Sequence, residues 1–342
     1  MIANWPGYIF PSAMKRFERQ TGTTAEYLEV IENYDSFFGS IREPLANGDA
    51  TGYDVIMLAD WLVAKMASLD YLEELHPELL PNFEANAVST AKNPTYDPGA
   101  RHSVTWLSGI TGIGYNRSVT GRDITSIQDL FNPEFEGGVM MSLEMRETMG
   151  LTLLGLGIDP QEATVEDATT AQEELIKQRD SGVLRSYADF GDRLQALSNG
   201  DAALSMIVAG DLLLAKQDNP DLEFVVPDEG AITWSDNLAT PIGAENPADA
   251  HTFMNFMYEP DTAAGMVQYI NYFTPVPPSR DVLLEKAADA SGEERETLEN
   301  LAADPFVYPD DEMLSQLYPY NMLTNEEEEQ EWNDLFQEVV QG

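Results

Sequence analysis

Aromatic and acidic side chains stand where the strand-like segments of this 342-residue chain end: Trp5 and Tyr8, Trp61, Glu144 and Glu147, Trp234 and Asp236, and Tyr272. In open α/β sheets such strand ends are where ligands bind. An organic cation needs carboxylates to accept its N–H bonds and flat apolar walls for its carbon chain, and aromatic faces attract ammonium through the ring quadrupole. Every residue type in the set supplies one of these functions. A lone Trp is more often core and a lone Glu or Asp more often solvated surface, so it is the combination that points to a cation site. Glu144 and Glu147 stand three apart, which puts both on one face of a helix's first turn, where the helix dipole offsets their repulsion. The plain alternative is an acidic N-terminal turn with Arg146 beside it.

Positioning these groups requires a layered scaffold. With 342 residues and 43% hydrophobic content, the chain exceeds what one core usually serves, and two domains are expected. Segments 2–5, 24–31 and 54–58 read as strands, alternating with helices at 12–20, 34–46 and 62–68. The 54–58 run is short and almost continuously apolar, as in a parallel sheet covered on both faces. A second α/β group has strands near 109–115, 138–142, 202–207 and 223–226, with helices near 127–130, 145–156, 165–181 and 191–199. From 249 onward the pattern is helical, at 249–258 and 261–269, with a Pro-rich turn at 274–278. The acidic run 326–329 reads as a solvated helix start.

Sixty acidic residues against 18 basic ones give a formal charge of -42. That field repels nucleic acid and anionic membrane surfaces and favours cationic partners. Only 6 of the basic residues are Lys, which fits either adaptation to high salt or an ordinary acidic surface kept soluble by its charge. In strong salt the global field is screened within a few ångströms, so specificity has to come from a desolvated pocket. The absence of Cys excludes disulfides, thiolate metal sites and cysteine nucleophiles. No apolar run reaches about 18 residues, and the most hydrophobic stretch, 139–158, carries Glu144, Arg146 and Glu147. A removed export or lipid-anchor leader, replaced by a start Met, is expected ahead of the first strand. His76, His102 and His251 fall in no nucleophile or metal pattern, His76 reading as a surface residue, and no loop alternates calcium ligands around a central Gly.

The order of motifs resembles that of the spermidine/putrescine-binding periplasmic proteins, the solute-binding components of bacterial ABC transporters, over nearly the whole chain. The resemblance rests on Asn4-Trp5-Pro6-Gly7-Tyr8, on the run from Asp54 to Trp61 leading to Val63-Ala64-Lys65-Met66, and on the 112–116 segment Gly-Ile-Gly-Tyr-Asn. It continues in Met145-Arg146-Glu147, in the run from Glu229 through Trp234 and Ser235 to Asp236, and in Tyr272-Phe273-Thr274-Pro275. It implies a two-lobed type II periplasmic binding protein fold, α/β in class, with a ligand cleft between lobes. Lobe one would hold 1–109 and 236–280, and lobe two 110–235 and 281–342. Trp5, Tyr8, Trp61, Trp234 and Tyr272 would wall the ligand, and Glu144, Glu147 and Asp236 would receive its ammonium groups. Asp211 resembles the acidic position of putrescine-binding members, although Val208 replaces their usual aromatic. Glu144 stands where spermidine binders commonly have Asp. Pro6, Ala59 and Tyr320 replace polar residues of the family and leave the choice of polyamine open.

The implied function is capture of putrescine or spermidine outside the cytoplasm, on the periplasmic or extracellular face of the membrane, with delivery by a monomer to an ABC permease. No cofactor, metal, nucleic acid or catalytic residue is implied. The same transport role for another organic cation or an amino acid is the alternative. A carboxylate-based glycoside hydrolase, pairing Glu144 or Glu147 with Asp236, and a calcium-binding acidic protein are more distant readings.

Overall fold

Short apolar runs bounded by polar residues become the strands. In the computed structural model, which describes residues 1–323 and 325–342, they are β1 (Ile2–Asn4), β2 (Tyr27–Glu29), β3 (Val55–Ala59), β4 (Ser103–Asn116), β5 (Val139–Ser142), β6 (Leu184–Ala188), β7 (Leu204–Val208), β8 (Leu222–Val225), β9 (Ala231–Ala239) and β10 (Leu317–Pro319). The chain divides into two compact units, Met1–Ser108 with Ser235–Tyr308, and Gly109–Trp234 with Pro309–Gly342.

In the first unit β1 lies parallel to β2 and to β3, with Ile2 opposite Tyr27 on one side and Val55 on the other. All five residues of β3 are buried, as a strand covered on both faces requires. The second half of β9 runs antiparallel to β3 and brings Asp236 opposite Ala59. Helices Ala13–Thr21, Tyr34–Asn47 and Asp60–Ser68 follow β1, β2 and β3 in turn. Phe17 is fully buried and meets Phe253 and Phe256 edge-on, with ring centroids 5.4 Å apart in both pairs. Burying each such ring contributes on the order of 2 to 3 kcal/mol.

Residues 281–308 depart from the sequence assignment to the second lobe. Helices Ser279–Asp289 and Glu293–Ala303 pack in the first unit, where Leu283, Ala287, Leu298 and Val307 form a buried cluster with Ala264 and Val267 of the helix Pro260–Ile270. An apolar helix face shows in sequence, but not the surface that covers it.

In the second unit β5 is parallel to β6 and β7, and β4 is antiparallel to β7 and β8. β10 pairs in parallel with the first residues of β9. The helix Val165–Asp180 opens with a capping box between Thr164 and Asp167. The helix Glu326–Gln341 begins with the acidic run. Glu326 and Glu327 are exposed as expected, but Glu329 is 7% exposed and forms an ion pair with Arg146 at 2.5 Å, so the run is not solvated throughout. Sequence periodicity also missed β6, β10 and the strand character of β9. β9 carries Thr233, Trp234, Ser235 and Asp236 at half-buried or buried positions rather than an apolar alternation. Among the described residues no helix is long and apolar enough to cross a membrane.

Candidate functional site

In the first unit the acidic centre is Asp236, 7% exposed on β9. Tyr8 donates its hydroxyl to Oδ2 at 2.8 Å, and Tyr34 donates to Oδ1. Burial pushes the Asp236 carboxyl up to about 6, and the two phenol donors limit the rise. Both phenols are raised well above their ordinary value, by burial first and by the Asp236 charge next, so they act as donors across the neutral range.

Aromatic rings surround this carboxylate. Trp5 meets Tyr34 edge-on at 5.0 Å between centroids, and Tyr8 lies 6.1 Å from Tyr272 and 6.3 Å from Trp106. The turn after β1 aims two of them. Asn4 Oδ1 accepts the Trp5 amide at 2.7 Å, and Gly7, at φ 66°, takes the left-handed conformation that glycine adopts without cost to return the chain at Tyr8. Trp61, 7% exposed, lies in the first turn of Asp60–Ser68. Asp60 ties it to the acidic strand: its Oδ1 accepts the Trp61 amide at 2.7 Å and its Oδ2 the Ser235 amide at 3.1 Å. Of the residues expected on sequence, Trp5, Tyr8, Trp61, Asp236 and Tyr272 belong to this group. Tyr34, Trp106 and Asp60 were missed. Tyr34 had a legible signal, since it opens a helix capped by Asn33 shortly after β2, the same strand-end position used to select the others.

The second unit holds Glu144, Glu147, Asp211 and Trp234. Glu144 is the N-cap of helix Met145–Gly155 and is exposed, whereas Glu147 lies in the first turn and is half-buried. Two hydroxyls fix the Glu147 carboxylate: Thr111 donates to Oε1 at 2.9 Å and Ser142 to Oε2 at 3.0 Å. Trp234 donates its indole N–H to the Thr111 hydroxyl at 3.0 Å, so the ring and the carboxylate share one bracket. The indole packs directly against Gly109, where a Cβ would stand 2.0 Å from the ring. Asp211 is in the first turn of helix Ala209–Lys216, after β7, whose Val208 is opposite Thr111. Ser142 ends β5 just before Glu144 and was within reach of the strand-end rule. Thr111, fully buried inside β4, carried no sequence signal.

No histidine is among the hydrogen-bond partners named above. His251, 1% exposed, accepts the His76 amide at its Nε2 and lies 2.7 Å from the Pro247 carbonyl at Nδ1; His102 pairs with Asp97. Among the described residues no group of three or more His, Asp or Glu is arranged to hold a metal ion.

The family model for bacterial extracellular solute-binding proteins matches residues 12–293. A spermidine/putrescine-binding periplasmic protein of Haemophilus influenzae is 28% identical over 314 residues, 92% of this chain and 81% of the relative. A putrescine-binding periplasmic protein of Pseudomonas aeruginosa is 26% identical over 340 residues, covering 93% and 86%. Among solved structures, the spermidine/putrescine ABC transporter substrate-binding protein PotD of Streptococcus pneumoniae, crystallised with calcium and HEPES, superposes with a TM-score of 0.82 at 25% identity, over 99% of this chain and 98% of that one.

Proposed function

The chain belongs to the bacterial extracellular solute-binding protein family, and from that premise we propose that it captures a polyamine of the putrescine or spermidine type for an ABC importer. The observation that carries this reading is Asp236: a nearly buried carboxylate held by two phenols inside a ring of aromatic side chains. A buried carboxylate is costly to keep ionised, and the burial that pushes Asp236 up to about 6 reflects a penalty of order 3 kcal/mol that an incoming ammonium group offsets. Trp5, Tyr8, Trp61 and Tyr272 then serve as walls for methylene groups, Glu144 and Glu147 as acceptors for ammonium, Trp234 as a further wall and Asp211 as an accessory acid. Tyr34 joins the set as the second phenol on Asp236. The same proposal places the protein outside the cytoplasm as a monomer that hands its ligand to a permease, the full-length precursor carrying an export or lipid-anchor leader.

Calorimetric titration with putrescine, cadaverine, spermidine and spermine, at low and high salt, tests it. Saturable binding of at least one polyamine, surviving high salt, is the expected result, because a desolvated site is little screened while surface attraction is lost. No heat from any of the four, or heat that vanishes with salt, would overturn the reading.

Affinity also depends on pH with a definite sign. The ligand binds ionised Asp236, so below pH about 6 a proton must leave before the cation enters. Putrescine affinity is expected to level off above pH about 7 and to fall by up to about tenfold for each pH unit below 6. For the ligand-free protein the sign reverses. This carboxyl binds its proton more tightly folded than unfolded, so its contribution destabilises above pH about 6 and disappears as pH falls toward its ordinary value. A pH series of titrations and of ligand-free melting curves checks both signs.

A further inference from the structure

Thr111 is fully buried on β4, and its hydroxyl touches two residues of the candidate site at once. Its oxygen is 3.0 Å from the Trp234 indole nitrogen and 2.9 Å from Glu147 Oε1. An indole N–H only donates, so the Thr111 oxygen accepts there, and the single hydrogen of the hydroxyl is left for Glu147. The polarity of the chain is therefore fixed, from indole to hydroxyl to carboxylate. The other carboxylate oxygen ends a chain of the same kind. The Glu144 amide donates to the Ser142 hydroxyl at 3.2 Å, and that hydroxyl donates to Glu147 Oε2 at 3.0 Å. One chain leads to an aromatic ring and the other to the backbone of the acidic turn.

Consecutive hydrogen bonds that point the same way polarise one another, so a change at one end is felt at the other. Each carboxylate oxygen has two lone pairs, so Glu147 accepts an ammonium N–H while both hydroxyls stay in place. That new bond draws electron density from Oε1, and the pull on the Thr111 hydroxyl and through it on the indole weakens. Gly109 supplies the second constraint on the ring, because it has no Cβ to occupy the ring's place. We propose that Thr111 is a positioning residue that couples Trp234 to Glu147, so that the acid and the wall respond to an ammonium group as one unit. This inference rests on the reading of Glu147 as an ammonium acceptor and of Trp234 as a wall.

The test follows the Trp234 indole N–H by nuclear magnetic resonance in protein carrying isotope-labelled tryptophan, the signal being assigned by its loss in Trp234→Phe. In ligand-free protein, Glu147→Gln is expected to move this signal upfield, and in wild type saturating putrescine should move it the same way. In Thr111→Val, which keeps the shape of the side chain without the hydroxyl, the signal should lie upfield from the start and neither change should move it. Ser142→Ala, which removes the other hydroxyl on Glu147, should leave the response to Glu147→Gln intact. By calorimetric titration, Thr111→Val should weaken putrescine about tenfold, and Thr111→Ser should restore both affinity and signal. The effects of Glu147→Gln and Trp234→Phe on affinity should depart from additivity by about threefold or more, and should become additive in the Thr111→Val background. If Thr111→Val fails to fold, Thr111→Ala removes the same hydroxyl and runs the same comparison. A signal that Glu147→Gln leaves in place, a response lost equally in Ser142→Ala, or the same coupling with and without the Thr111 hydroxyl overturns the proposal. A wild type that binds no polyamine while Glu147→Gln still moves the signal overturns the ligand reading and upholds the hydroxyl link.

Discussion

Asp236→Ala is expected to weaken polyamine binding by on the order of 2 to 5 kcal/mol, the loss that follows when one partner of a desolvated charge-assisted pair is removed. The substitution also leaves the hydroxyls of Tyr8 and Tyr34 without their shared acceptor. Asp236→Asn separates the charge from the shape. It fills the same space and can still accept one phenol hydrogen bond, but it carries no charge for an ammonium group. Binding should fall nearly as far as in the alanine variant, while the ligand-free protein near neutral pH should melt higher than wild type, because a buried ionised carboxylate has been removed. Titration calorimetry and thermal melts with and without putrescine read both effects. Affinity unchanged in either variant would remove Asp236 from the binding site.

Gly109→Ala should have the next largest effect, and it acts through a wall rather than a charge. The added Cβ would stand 2.0 Å from the Trp234 ring, with two further ring atoms at 2.4 and 2.5 Å, so the indole has to leave its seat. Leaving breaks the indole's hydrogen bond to Thr111, the hydroxyl that also holds Glu147. Overpacking of this kind costs about 1 to 3 kcal/mol in stability. The larger consequence is expected in binding, about tenfold or more, shared by putrescine and spermidine alike because a wall for methylenes does not count amines. Titrations of Gly109→Ala beside Trp234→Ala test this, with tryptophan near-ultraviolet circular dichroism reporting the displaced ring. Equal affinity in Gly109→Ala despite an altered ring signal would exclude Trp234 from the site.

Residues whose positions follow from local pattern are legible in the sequence. Trp5, Tyr8 and Trp61 are one to four residues past strand ends that hydrophobic runs made visible, and Glu144 and Glu147 mark a helix start by spacing alone. Residues whose roles depend on a long-range partner are less so. No strand-like run marks β9 in sequence, and β3 supplies the partner strand opposite Asp236. Tyr34 stands at an element end that the same pattern could have marked, but its partner, a carboxylate 202 residues later, is set by the fold alone. The same holds for Arg146, which reads as a neighbour of the acidic turn and forms an ion pair with Glu329, 183 residues away.

The chemical character of this protein was written in its one-dimensional order: an excess of 60 acidic residues over 18 basic ones, no Cys, and indoles, phenols and carboxylates recurring at element ends. Side-chain chemistry and helical or strand periodicity are local properties, so the chain states them without folding. Tertiary structure alone decided which groups share a bracket: the paired phenols on Asp236, the two hydroxyls on Glu147, and the packing of residues 281–308 with the first unit. Hydrogen-bond partners far apart in sequence, and the desolvation that raises the Asp236 pKa, exist only after folding has removed water from between them.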